Sequence, residues 1–394
     1  MTGLPGLDTE ATMAPDRSQL AAELKRRAES MRGRATDLLE RLTALDSESG
    51  EPAALEPSCE LLGAELERLG AAPTRHVSPA GIHLEAGFGA GPGSPLLLLC
   101  HYDTVWAAGT AAARPLRFDG ERAIGPGVFD MRGGIVAALC ALELLLASDR
   151  VERPLTLLLT ADEETGGESS SELIIDRGLA ADLTLVPEPS LPGGAIKTRR
   201  KGWSTYELRV AGRSAHAGLE PERGVSAIDE LVDQLASVRG LADPAAGTTI
   251  NCGVIDGGQA ANVVAEAAFA ELDLRAATVA EYERVDLELH RLAPRRDGSE
   301  IKLTRRHTRP PMERTAPIAA AAERALGLAA ELGLELGEGA AGGASDANQL
   351  AAQGAAVLDG LGPEGGGAHA EDEWVSLDSL CERVALLALL IAEL

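Results

Sequence analysis

Pro95-Leu-Leu-Leu-Leu-Cys100 is too short for a helix and too apolar for a strand with one wet face, so it reads as a strand buried on both sides. Leu155 to Thr160 and Leu183 to Val186 have the same character, and a helical stretch from Gly134 to Ser148 precedes the former. Strands of this kind alternating with helices predict an α/β fold, a mostly parallel sheet covered by helices on both sides. Each run then stops at chemistry: His101-Tyr-Asp103, Asp162-Glu163-Glu164 and Pro187-Glu188. Ligands of an open parallel sheet bind beyond the carboxyl ends of its strands, so these side chains are expected to converge on one crevice. Asp130, in a glycine-rich segment leading into the helix, and His369, after Gly365-Gly-Gly, fit the same place.

The flanking texture defines the organisation. Leu20 to Leu45 and Leu55 to Leu69 alternate apolar and charged residues at helical spacing and predict two surface helices. Between about Gly202 and His307 the strands become half-exposed: Tyr206, Leu208 and Val210 alternate with Glu207 and Arg209, and Ala270, Leu272 and Leu274 with Glu271, Asp273 and Arg275. Val225 to Leu235 marks a helix between them, and Ile301 and Leu303 a further strand. This predicts a discontinuous larger domain, 1–200 and 309–394, interrupted by a small α+β insertion, 201–308, with helices on one face. Ala/Gly-rich segments such as Gly337 to Gly343 read as loops, and an apolar helix from about Leu377 closes the chain.

Charge and composition exclude several functions. Acids outnumber bases 61 to 36 for a net charge of −25, which argues against nucleic acid and against an anionic membrane surface. Five scattered cysteines, mostly flanked by apolar residues, suggest buried thiols rather than a disulfide framework. The first residues lack a basic start and an apolar stretch, and no apolar run approaches the roughly 20 residues that span a bilayer, so a cytoplasmic protein is expected, with residues 1 to about 17 frayed. Aromatics are only 3%, so the core should be aliphatic.

Carboxylates gathered at one sheet edge repel each other unless cations hold them, and the sequence shows no matching cluster of Lys or Arg. Two histidines with three or more carboxylates suit zinc or cobalt, with one carboxylate bridging two ions. Neighbouring Glu163 and Glu164 point in different directions at a strand end, so one can bind metal while the other handles the proton of an attacking water.

The motifs His101-Tyr-Asp103-Thr-Val, Gly125-Pro-Gly…Asp130-Met-Arg-Gly-Gly134, Asp162-Glu163-Glu164, Pro187-Glu188-Pro, Ser214-Ala-His216-Ala-Gly218 and Gly342-Gly-Ala-Ser-Asp346…His369 resemble, in order, those of the M20 metallopeptidases, nearest to the glutamate carboxypeptidases. The resemblance implies two divalent metal ions, zinc foremost with cobalt or manganese possible: His101, Asp130 and Glu188 would hold one, Asp130, Glu164 and His369 the other. It implies Glu163 as general base and Asp103 as the carboxylate that orients His101. It makes the insertion a ferredoxin-like lid that also forms a homodimer, with His216 reaching across the dimer to the oxyanion. Asn262, Arg275 and Arg309 match substrate-binding positions, Arg309 as the clamp on a substrate carboxylate. The expected substrate is a small peptide or N-acyl amino acid, cleaved at an amide bond next to a free carboxylate. An aminopeptidase or deacylase, or a non-catalytic binding protein on the same fold, are the alternatives.

Overall fold

The computed structural model describes residues 17–394; the expected fraying of the first residues falls mostly on 1–16, outside the described part. Eight strands form the large sheet, in the spatial order Thr74–Ser78, Gly81–Phe88, Leu155–Thr160, Leu96–His101, Leu183–Val186, Val357–Asp359, Ile196–Arg200, Glu338–Ala341. The central four are mutually parallel. They are the runs buried along almost their whole length, as unbroken apolar sequence requires. The first two strands pair antiparallel at one edge, where alternation of exposed and buried residues takes over.

Helix Gly133–Leu146 packs against the C-terminal helix Leu377–Glu393, and both are buried over most of their length in one aliphatic core. The expected single helix from Leu20 to Leu45 is two, Arg17–Ser30 and Arg32–Thr43. The break falls beside Ser30, whose hydroxyl donates to the Arg27 carbonyl at 2.6 Å and so competes with the helical ladder. Glu338–Ala341, expected as a loop, is an edge strand held by parallel pairing to Ile196–Arg200, a backbone interaction that Ala and Gly do not prevent.

The second sheet is antiparallel, in the order Thr249–Gly257, Ala267–Ala276, Gly202–Ala211, Glu300–Arg309. Helices Ala227–Arg239 and Val279–His290 both pack on one face, against Tyr206, Leu208, Val210, Ala270, Leu272 and Leu274. Strand–helix–strand–strand–helix–strand with this order is a ferredoxin-like arrangement. The 249–257 strand and the 279–290 helix add to the elements expected from sequence. That strand is exposed almost throughout, so it shows no alternation. Four cysteines are buried and free, but Cys252, on this edge strand, is exposed, against expectation. Among the described residues no helix is long and apolar enough to cross a membrane.

Candidate metal centre

Register explains why distant residues meet. In the parallel sheet Leu98 lies opposite Leu185, and three residues further on the same spacing sets His101 beside Glu188. His101 also pairs with Thr160, just before Asp162-Glu163-Glu164. Asp130 arrives on the loop before the 133–146 helix. That helix can start so near the sheet because Gly134 has no side chain: a Cβ there would lie 1.8 Å from the Pro187 carbonyl oxygen. The Asp130–Met131 peptide is cis. His369 follows three glycines and takes φ of +63°, an uncommon value for a residue with a Cβ.

Two triads result, His101/Asp130/Glu188 and Asp130/Glu164/His369, each offering ligand atoms within 4.8 Å of one another. His101 Nε2 is 3.3 Å from Asp130 Oδ1 and 3.3 Å from Glu188 Oε1. His369 Nε2 is 3.6 Å from Asp130 Oδ2 and 3.2 Å from Glu164 Oε2. Asp130 thus turns one oxygen to each triad. Ligands about 2.0–2.2 Å from a tetrahedral zinc ion lie roughly 3.3–3.6 Å apart, so these separations fit a divalent ion. Two further observations agree with that fit. His101 Nε2 and Glu164 Oε1 are buried polar atoms with no hydrogen-bond partner among the described residues. Burial also pushes Glu163 up to about 8, against the pull of Arg309, and Glu164 up to about 7, against that of His369.

Asp103, fully buried, holds the wall together. Its Oδ1 is 3.4 Å from His101 Nδ1 and accepts from the Glu163 amide at 3.2 Å; its Oδ2 accepts from the Glu164 amide at 3.1 Å and from Ser49 Oγ at 2.6 Å. The Asp103 backbone carbonyl takes the His101 Nδ1 hydrogen bond at 3.1 Å while its carboxylate holds the two-glutamate turn, so one residue orients both. Asp162 does not join them: its Oδ2 accepts from Ser169 and Ser170 and closes the turn after the strand.

Glu163 belongs to neither triad. Its carboxylate pairs with Arg309, which also lies 3.1 Å from Asp346 Oδ1 and donates to the Glu163 carbonyl at 3.0 Å. Arg309 is the last residue of the 300–309 strand, where the chain leaves the second sheet. It is buried, and the expected open clamp is here a guanidinium already engaged by Glu163 and Asp346. Burial raises Asp346 to about 6 despite that partner.

The absence of Lys or Arg beside the acids, expected from sequence, is corrected by Arg200. It is 4% exposed, bidentate to Asp359 at 2.7 and 2.9 Å, and donates to Glu188 Oε2 at 2.8 Å. Burial raises Glu188, but Arg200 and His101 outweigh this and hold it at about 2. Lys197 adds a second buried cation, its Nζ 4.0 Å from Glu188 Oε2. The run Arg199-Arg200-Lys201 was the visible signal; its partners, Glu188 and Asp359, lie elsewhere in the chain.

The structure does not bring the remaining predicted residues to this wall. Arg275 is paired to Asp273 at 2.8 Å and lies over the Trp203 ring. His216 and Asn262 sit together beyond the far end of the second sheet, joined through the His216–Val263 bridge and the Ala217–Asn262 hydrogen bond. The Gly202–Ala211 strand separates that end from Arg309 by about 30 Å at the usual rise per residue. His216 Nδ1 accepts from the Gly218 and Leu219 amides at 3.1 Å each, leaving Nε2 as the protonated, outward nitrogen of the neutral ring.

Paired triads sharing a carboxylate, with a separate glutamate between them and an arginine, define the class as a metal-dependent hydrolase. Residues 97–393 match the model of peptidase family M20/M25/M40, and the chain belongs to this family. Carboxypeptidase G2 of Pseudomonas sp. (strain RS-16) is 29% identical over 365 residues, covering 90% of this chain and 88% of that protein. Acetylornithine deacetylase of Myxococcus xanthus is 33% identical over 250 residues, covering 57% of this chain and 62% of that one. The fold is shared with a dinuclear metal-binding M20 peptidase from Bacillus subtilis, at a TM-score of 0.69 and 14% identity over 93% of this chain and 99% of that one. The chain is an enzyme, a hydrolase of this peptidase and deacylase family.

Proposed function

We propose that this enzyme uses two divalent cations, zinc foremost, to cleave an amide bond next to a free carboxylate, releasing a glutamate-like amino acid from a small peptide or N-acyl conjugate. The observation that carries the reading is Asp130, which turns one oxygen to each triad, with Glu163 beside them and outside both. The cations, held by His101, Asp130 and Glu188 and by Asp130, Glu164 and His369, would supply Lewis acidity to the scissile carbonyl and lower the pKa of an attacking water.

The chain's own residues do the rest. Glu163 accepts the proton of the water and returns it to the leaving nitrogen, a role suited to a carboxylate that belongs to neither triad. Asp103 keeps His101 and both glutamates in place through the contacts described above. Among the described residues Arg309 is the guanidinium paired with Glu163, so a substrate carboxylate arriving there would compete with Glu163 and Asp346 for it. Bidentate pairing suits that exchange.

The remote His216 and Asn262 would serve the centre of a second subunit, His216 donating from Nε2 to the oxyanion. A homodimer through the lid is supported by the edge strand 249–257, which has no strand on its outer side, and by exposed Ile255 on the face covered by the 227–239 helix with its own exposed Ile228 and Val232. Arg275 would contact substrate only by releasing Asp273. We place the enzyme in the cytoplasm, consistent with its unpaired cysteines.

Glu163→Gln tests the assignment: turnover should fall by several orders of magnitude while both metals stay bound, and full activity would overturn it. The substrate half is tested with an acyl-glutamate and its amide, the acid being the expected substrate. The similarity to the Myxococcus acetylornithine deacetylase favours a second reading, an N-deacylase, which faster hydrolysis of N-acetylornithine than of acyl-glutamate would establish.

A further inference from the structure

The loop that presents Asp130 ends in a ring of backbone amides that no backbone carbonyl satisfies. One side chain closes it. Glu373 Oε1 accepts from the Phe129 and Asp130 amides at 3.0 and 2.9 Å, and Oε2 accepts from the Gly127 amide at 2.7 Å and from Trp106 Nε1 at 3.1 Å. Its own carbonyl accepts from the Gly125 amide at 3.1 Å. The residue is 1% exposed. Its amide donates to the Ala370 carbonyl, so it closes the turn that follows His369.

These contacts tie the loop of Asp130 to the loop of His369. An ionised carboxylate is acceptor-only, and four donors converge on it, a match no neutral side chain of that size reproduces. We propose that Glu373 is a positioning residue of the metal centre: it fixes the backbone of Asp130, the group common to both triads, and couples it to His369. The inference rests on the two-cation reading above. Because Asp130 is shared, disturbing Glu373 should weaken both cations together rather than one.

Glu373→Gln keeps the volume and inverts half the hydrogen bonding, setting an amide NH2 against backbone N–H donors. Partners that orient metal ligands typically change affinity about 10–100-fold when replaced. The experiment is titration of metal-depleted protein with Co2+ against a chelator of known affinity, following the cobalt visible bands. Glu230→Gln is the control: Glu230 accepts from the Arg295 and Arg296 amides in the lid, away from the centre, so its loss should lower stability without moving cobalt affinity.

The expected result is two equivalents bound by the unaltered protein, both weakened about 10–100-fold in E373Q, with turnover recovering at excess cobalt. Should E373Q fail to fold, Glu373→Asp carries the test, since it keeps the charge and withdraws it by one methylene; both affinities should again fall. Two equivalents in the unaltered protein with affinities in E373Q, or in E373D where that variant is used, within twofold of it would overturn the inference alone. Fewer than two equivalents in the unaltered protein would overturn the two-cation reading, and this inference with it.

Discussion

Replacing Arg200 with Met removes the cation that the buried side of the centre is built on. Asp359 is fully buried and would keep only the Ser345 hydroxyl at 2.7 Å, while the Gly343 and Ala344 carbonyls would lose their donor. Removing one partner of a buried ion pair costs about 3–5 kcal/mol, because the other charge is left uncompensated. At roughly 2 °C per kcal/mol for a large chain, Tm should fall by about 6–10 °C. The double variant R200M/D359L removes both charges, and because well-packed apolar replacements of a buried pair are often neutral, it should recover at least half of the loss. Urea unfolding of the four proteins, metal-loaded and followed by tryptophan fluorescence, measures the cycle. A single-variant loss below about 1 kcal/mol, or losses that simply add, would refute the view that Arg200 and Asp359 stabilise each other.

Gly134→Ala should cost about 1–3 kcal/mol and weaken metal binding, since its Cβ meets the Pro187 carbonyl and must displace the segment carrying Glu188. Gly63→Ala, in the Pro52–Arg68 helix where a Cβ meets nothing, should instead be neutral or stabilise by about 0.5–1 kcal/mol; thermal melts compare the two. The metal-depleted protein should lose stability as pH rises from about 5 to 9. Burial raises Glu163 to about 8 and Glu164 to about 7, so between the unfolded value of about 4.3 and these values the folded state holds more protons and stability falls with pH. His369, raised to about 10 by Asp130 and Glu164, acts in the same direction: its contribution is complete below about 6.5 and is lost as pH rises through its folded value. Melting points of chelator-treated protein across this range check the sign, and a rise would contradict it.

The central strands were legible because burial on both faces leaves an unbroken apolar run, and the register of those runs brings His101, Glu188 and the Glu163-Glu164 turn together. Glu338–Ala341 was not legible, since backbone pairing leaves no mark on an Ala/Gly sequence, and Thr249–Gly257 has no buried face to create one. Within the centre, the side chains that point at the crevice could be named from the strand ends. Of the residues that hold them, Asp103 could be named through the family resemblance, whereas Arg200 and Glu373 could not. Arg200 sits in a run of three basic residues that names no partner by itself, and its burial depends on Asp359, 159 positions later. Glu373 is only four residues beyond His369, yet three of its four donors are the backbone amides of Gly127, Phe129 and Asp130, whose need for an acceptor leaves no mark on the sequence.

The proposed chemistry requires Asp130 to be shared between two cations, and counting bound metal against turnover tests that most directly. Metal-depleted protein titrated with Co2+ should bind two equivalents per chain, remain inactive toward an N-acyl glutamate before metal is added, and reach full turnover as the second equivalent binds; Asp130→Ala should lose affinity at both sites. Saturation at one equivalent, or full turnover in the presence of excess chelator, would contradict it.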